Sequence, residues 1–136
     1  MARTLDDCVN NLVAVTSLAI GADQLLASLV LRRGGSVYAV IPFADYERTF
    51  VAEDVDSYRR LLAVSKVEIL VTRGTDEDAY LAAGQRVVAL SDLLIAVWNG
   101  EAARGKGGTG DIVRYAVGRG VKTIHINPTK RTVIRK

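Results

Sequence analysis

Residues 104–111 read RGKGGTGD, with Arg104, Lys106 and Thr109 set among glycines at 105, 107, 108 and 110. Four of the chain's 12 glycines thus fall within six residues. An apolar run, LLIAVW, ends at Trp98, and a helical pattern begins at 109, so the segment reads as a strand-to-helix turn. Such a turn suits anion binding. Gly107 and Gly108 remove side chains where a ligand oxygen would approach the backbone, and Gly110 lets the helix start lie close to it. The first amides of a helix lack intrahelical partners and point outward, which favours an anion. Thr109 would add a hydroxyl donor, and Arg104 and Lys106 positive charge.

The segment TSLAIGAD (16–23) repeats this logic after an earlier strand. Thr16 and Ser17 stand at the strand end, Gly21 permits close approach, and a helix follows. The expected ligand carries phosphate and lies between 16–23 and 104–111, where two helix N-termini converge. Tight turning alone is the competing explanation for these glycines. It is adopted for Gly34, Gly35, Gly74 and Gly120, while at Gly21 both readings stand. Neither loop is a Walker A or G-x-G-x-x-G motif, which disfavours a P-loop ATPase or a standard dinucleotide site.

Further candidates follow other strands. Asp45 would hydrogen-bond a ribose hydroxyl, or else cap a short helix over 46–51. Phe43 and Tyr46 offer rings for stacking on a base, or for packing the loop. Asp23 opens a helix, where a carboxylate suits the dipole whatever its function. Trp98 and Asn99 end a strand at the same crevice, and Asn99 joins the expected ligand contacts. His125 has no second histidine with which to bind metal and reads as packed or hydrogen-bonded. Ser17 lacks a triad. No metal site and no resident cofactor are expected.

The elements that position these residues alternate regularly. Strands are expected near 12–16, 36–41, 67–71, 93–98 and 121–126, and helices near 21–33, 54–64, 76–90 and 109–119. The first helix carries Leu25, Leu26, Leu29 and Val30 on one face, with Gly34-Gly35 as its stop. The last carries Ile112, Val113, Ala116 and Val117, with Gly120 as its stop. VEILV and LLIAVW are nearly continuous apolar runs, the pattern of strands covered on both faces. This order predicts an α/β fold, a Rossmann-like three-layer sandwich with a mostly parallel sheet of about five strands. Parallel sheets of this kind bind ligands beyond the carboxyl ends of their strands.

On these motifs the chain resembles the SLOG superfamily of Rossmann-like proteins, which includes the LOG phosphoribohydrolases and the Smf/DprA DNA-processing proteins. The resemblance covers most of residues 12–128. SLAIGAD is similar to the S-G-x-A-x-G-I-D turn of the DNA-processing branch, and KGGTGD to the P-G-G-x-G-T turn of the phosphoribohydrolases. There the glycine amides hold a nucleotide phosphate, so the resemblance implies a nucleotide or nucleotide-derived ligand. The departures also carry meaning. The phosphoribohydrolase pattern continues to a glutamate that takes part in glycosidic cleavage, and the matching position here is Val113, with Asp111 at the threonine. A valine can neither move a proton nor steady an oxocarbenium ion. The family's usual extra first strand also has no counterpart in the dozen residues before LVAVTS.

Composition sets the outer bounds. A chain of 136 residues with 49% apolar residues suits one folded domain, 1–136, ending in a basic tail at 129–136. The net charge is +3, but residues 99–136 hold nine basic side chains against Glu101 and Asp111, a balance of +7. That end would attract phosphates, on a nucleotide or on nucleic acid. A single cysteine excludes an intramolecular disulfide, and no run reaches membrane-spanning length, so a cytoplasmic protein away from membranes is expected. A homodimer is expected from apolar residues such as Val30, Ala82, Ala83 and Val87, spread widely around helices 21–33 and 76–90. The reading is therefore a module that binds or senses a nucleotide-like small molecule. Its first rival is a nucleotide N-glycosidase using another carboxylate, such as Asp23, Asp45 or Asp111. The second is a single-stranded nucleic-acid binder of the DprA kind, for which aromatics at 6% provide few stacking platforms.

Overall fold

The alternation of strands and helices expected from the sequence is present in the computed structural model, which describes residues 12–97, 108–127 and 132–135. The chain divides into two compact units, Met1–Val71 and Thr72–Lys136. The first holds β1 (Val13–Thr16), α1 (Ala22–Arg32), β2 (Ser36–Ile41), a 3-10 turn (Tyr46–Thr49), α2 (Ala52–Ala63) and β3 (Lys66–Ile69). The second holds α3 (Asp76–Ala89), β4 (Leu93–Val97), α4 (Thr109–Gly118), β5 (Lys122–Asn127) and β6 (Thr132–Arg135). The α/β class stands. The strands hydrogen-bond in two groups of three, not in one five-stranded ladder. No helix among the described residues is long and apolar enough to cross a membrane.

In the first unit the three strands are parallel in the order β1-β2-β3, with Thr16 opposite Ala39 and Ile41 opposite Ile69. β2 lies between two neighbours, and its Val37, Ala39, Val40 and Ile41 are buried. β3 departs from expectation. VEILV reads as a strand covered on both faces, yet Val67, Ile69 and Val71 are 42%, 50% and 97% exposed. β3 is an outer strand of the sheet, and none of its four residues is buried. α1 buries Ala27 and Val30, whereas Leu25 is 51% exposed, so the buried stripe is rotated from the expected leucine face.

The stop at Gly34-Gly35 has a specific geometry. Gly34 takes φ +78 and donates its N–H to Leu31, while the Gly35 N–H reaches the Val30 carbonyl at 3.0 Å. These two bonds close α1 as a Schellman motif. α4 ends identically, with Gly120 donating to Val117 and Val121 to Ala116. Gly35 has a further constraint: a Cβ there would lie 2.6 Å from the Leu12 carbonyl oxygen and 2.6 Å from Val30 Cγ1.

In the second unit β4 and β5 are parallel, and β6 runs antiparallel to β5, with His125 opposite Ile134. Residues 132–135 of the expected basic tail are therefore a strand, while 129–131 and 136 lie outside the described residues. α3 begins with a capping box: Asp78 N–H bonds the Thr75 hydroxyl, and Thr75 N–H bonds the Asp78 carboxylate. That gives two polar residues of the segment after β3 a structural task. α4 buries Val113 and Ala116, but Val117 is 50% exposed. Of the apolar residues expected on a dimer surface, Val30 and Ala83 are in the core, and Ala82 and Val87 are half-buried.

Gly35→Ala should destabilise the fold by about 2 kcal/mol, because its methyl group meets a backbone oxygen and a β-branched side chain, neither free to yield. Urea unfolding measures this; an unchanged midpoint would show that the Leu12 carbonyl moves without cost.

Candidate functional site

In the first unit the candidate residues gather at the carboxyl ends of β1 and β2, two adjacent parallel strands. β1 ends at Thr16, which is buried, and its hydroxyl oxygen accepts the N–H of Leu18 at 3.1 Å. This bond between residues two apart bends the chain sharply. Leu18 takes φ 57 and is 0% exposed. A non-glycine residue in the left-handed region costs on the order of 1–2 kcal/mol, so surrounding bonds must hold it. Gln24 Nε2 donates to the Leu18 carbonyl at 3.0 Å, and Ser57 of α2 donates to Gln24 Oε1 at 3.0 Å. The turn is thereby tied to a helix more than 30 residues away in sequence.

Asp23 completes the clamp. Its Oδ2 accepts the Ala19 N–H at 3.2 Å. The residue is half-buried, but its carboxyl group lies within the turn, and burial raises its pKa above the ordinary 3.8. The Ala19 amide and the polar groups of Thr16 and Ser17 oppose that rise without cancelling it. This alters the role expected of the turn. One of its amides, that of Ala19, already meets an acidic group, the protein's own Asp23. Gly21 then hands the chain to α1 at φ 98 and ψ −124, a conformation open in practice to glycine alone. A Cβ at Gly21 would meet nothing within 4 Å, so backbone conformation, not close packing, accounts for this glycine.

The segment after β2 forms a groove of about 420 Å³ against α2, lined in part by Asp45, Glu47, Arg48, Tyr58 and Arg59. Asp45 stands at the cap position of the 3-10 turn but makes no side-chain cap bond; its Oδ2 pairs with Arg48 Nε at 2.8 Å. Arg59 grips both Glu47 oxygens at 2.6 and 2.8 Å, which lowers the Glu47 pKa. Tyr46 is buried, edge-on to Phe43, Phe50 and Tyr58 at centroid distances of 5.7, 5.0 and 5.7 Å. Tyr46 therefore packs the loop. Phe43 is half-buried beneath the Arg48 guanidinium, 5.0 Å from its centroid.

In the second unit Gly108 is the N-cap of α4, in an extended conformation with φ −68 and ψ 165, and no side chain caps the helix. Thr109 is exposed, and Gly110 is buried. Asp111 forms an ion pair with Arg114 one turn on. Val113 is 3% exposed and belongs to the core. His125 is buried on β5, as a packed histidine would be. Trp98, Asn99, Arg104, Lys106 and Gly107 lie outside the described residues.

Thr16, Ser17, Gly21 and Asp23 thus form one turn, with Asp45 in the next loop along the same end of the sheet. Gly108, Thr109, Gly110 and Asp111 form the start of α4 in the other unit. Leu18, Gln24 and Ser57 hold the first turn, yet none stands out in the sequence. A leucine carries no left-handed preference, and the Gln24–Ser57 bond spans 33 residues.

Asp23 also makes stability pH-dependent. A carboxyl whose folded pKa lies above its unfolded value stabilises below pH 3.8, and this contribution is lost as pH rises through the folded value. Asp23→Asn keeps an acceptor for Ala19 but does not ionise. Relative to wild type it should gain stability as pH rises from 3.5 toward 7, at about constant ionic strength. Chemical denaturation across that range tests this, and a difference between the two proteins that stays flat with pH would contradict it.

Compared with known proteins, the chain matches no protein-family profile and no curated protein.

Proposed function

We propose that this protein binds a phosphate-bearing, nucleotide-like ligand through its glycine-rich strand-to-helix loops, and does not split it. The observation that carries this reading is the start of α4. That helix opens at Gly108 with no side-chain cap, an exposed Thr109 beside it, and Gly110 buried beneath. Its first amides lack intrahelical partners, and the helix dipole favours an anion there. Among the described residues of this turn the acidic side chain, Asp111, is paired with Arg114. The +7 balance of residues 99–136 adds attraction for phosphate. The turn at 16–23 is less open to an anion than the start of α4, because Asp23 already takes the Ala19 N–H. With this function goes the Rossmann-like class of fold that the element order and the SLOG resemblance imply.

Cleavage of a glycosidic bond has weaker support. It needs a group to stabilise charge at the sugar carbon and another to assist water or the leaving base. Val113 is in the core, and Asp45 and Asp111 are each committed to an arginine. Asp23 has a raised pKa, but its carboxyl group clamps the turn.

A thermal-shift panel of nucleotides, cyclic nucleotides and nicotinamide-derived compounds should contain a stabilising ligand, by about 2.7 kcal/mol at 100 times its dissociation constant. Gly108→Val should abolish that shift while the protein stays folded, since φ −68 and ψ 165 are open to any residue. Lys106→Ala should weaken binding less, removing charge without blocking amides. Undiminished binding by folded Gly108→Val would end the glycine-loop reading.

Nucleoside monophosphates incubated with the pure protein should release no free base beyond a single turnover, followed by chromatography. Multiple turnover that Asp45→Asn or Asp111→Asn abolishes would make the protein an enzyme instead.

A further inference from the structure

β3 is an outer strand of sheet A, and its residues are unusually open for a parallel strand. The Leu70 N–H bonds the Ile41 carbonyl at 2.9 Å, which fixes the direction of every backbone group in the strand. Lys66, Glu68 and Leu70 turn their N–H and C=O toward β2. Val67 and Ile69 turn theirs outward, because these directions alternate along a strand. The outer edge therefore offers backbone donors and acceptors beside two apolar side chains that are 42% and 50% exposed. Neither proline nor glycine interrupts the strand, KVEI, and exposed edges of this kind invite pairing with another chain.

The charges on β3 say which chain fits. Lys66 and Glu68 flank Val67 and project from the same face of the strand, since side chains alternate. When two copies pair antiparallel about a two-fold axis at Val67, each Val67 meets its counterpart. Each Lys66 then stands opposite a Glu68 of the other copy. Residues whose backbones point outward form the hydrogen-bonded pairs of an antiparallel ladder, so Val67 supplies two bonds at the axis. The Lys66–Glu68 positions become the closer, non-hydrogen-bonded pairs, where opposite charges attract most. Glu68 already accepts a hydrogen bond from Tyr38 at 3.1 Å on this face, which steadies its carboxylate for a second partner.

We infer that β3 is a self-complementary edge through which two copies of this chain pair antiparallel about Val67, joining their three-stranded sheets into one of six. Symmetric pairing of this type is isologous, each patch meeting itself. The inference is independent of the ligand reading above, since it uses neither glycine loop.

Sedimentation velocity across a concentration series should show a reversible dimer in the wild type. Lys66→Glu sets two glutamates opposite each other at both pairs, and should weaken association by about tenfold or more. Glu68→Lys should do the same, while an equimolar mixture of the two variants should recover association as a heterodimer. Circular dichroism controls for folding, since Glu68→Lys loses the Tyr38 bond. Lys66→Glu, at an exposed side chain, keeps the test valid if that variant unfolds. A wild type that is monomeric at every concentration would overturn the inference. So would a dimer indifferent to Lys66→Glu.

Discussion

A buried leucine held in the left-handed conformation organises the first unit. Leu18 follows the first strand directly, and its φ of 57 is a conformation that leucine does not adopt unaided. Three polar side chains keep it there: Thr16 holds its amide, Gln24 its carbonyl, and Asp23 the amide of the next residue. Thr16 comes from the end of β1, and Asp23 and Gln24 from the first turn of α1. Gln24 in turn accepts from Ser57, so the angle at which α1 leaves the sheet is coupled to the position of α2. Backbone strain, a buried carboxyl and a side-chain relay therefore form one system. Strain of this kind persists where the surrounding structure over-determines it, and such places cluster at binding sites.

The same system distinguishes the two strand-to-helix turns. Both have glycine at the helix start and both lack a side-chain cap. In the first, the protein supplies its own anion, and burial of that carboxyl opposes its ionisation. In the second, the acidic residue nearest the helix start is drawn to an arginine on its own helix. Among the described residues, the start of α4 is thus the less compensated of the two, in the half of the sequence that carries the excess of basic residues. Electrostatics, more than the number of glycines, distinguishes the two turns.

Position within a sheet has a comparable influence on the strands. β2 has a neighbour on each side and β3 on one, and β3 is also less apolar. The outward row of Val67 and Ile69 consequently meets solvent, and charges that would be incidental in a central strand acquire a self-complementary arrangement. A short sheet leaves a larger fraction of its strands at an edge, which ties association to the size of the unit.

Much of this architecture was legible locally. Alternating β-branched runs and amphipathic stretches located every helix and five of the six strands, because periodicity follows from which side of an element faces the core. The glycine stops at 34-35 and 120 were legible for the same reason, since a Schellman motif is made within six residues. So was the burial of Val113, an apolar residue in an apolar stripe. β6 was not, because four residues set among basic ones at the end of the sequence look like a tail until β5 lies alongside. Nor was the left-handed Leu18, the internal use of Asp23, or the exposure of β3. Each of these depends on a partner distant in sequence or on the number of neighbouring strands. Sequence by itself determined the elements, their ends and the residue types placed at each turn. Tertiary structure decided which polar groups were spent on holding the turns and which apolar residues reached the surface, because burial and hydrogen-bond satisfaction belong to the assembled chain.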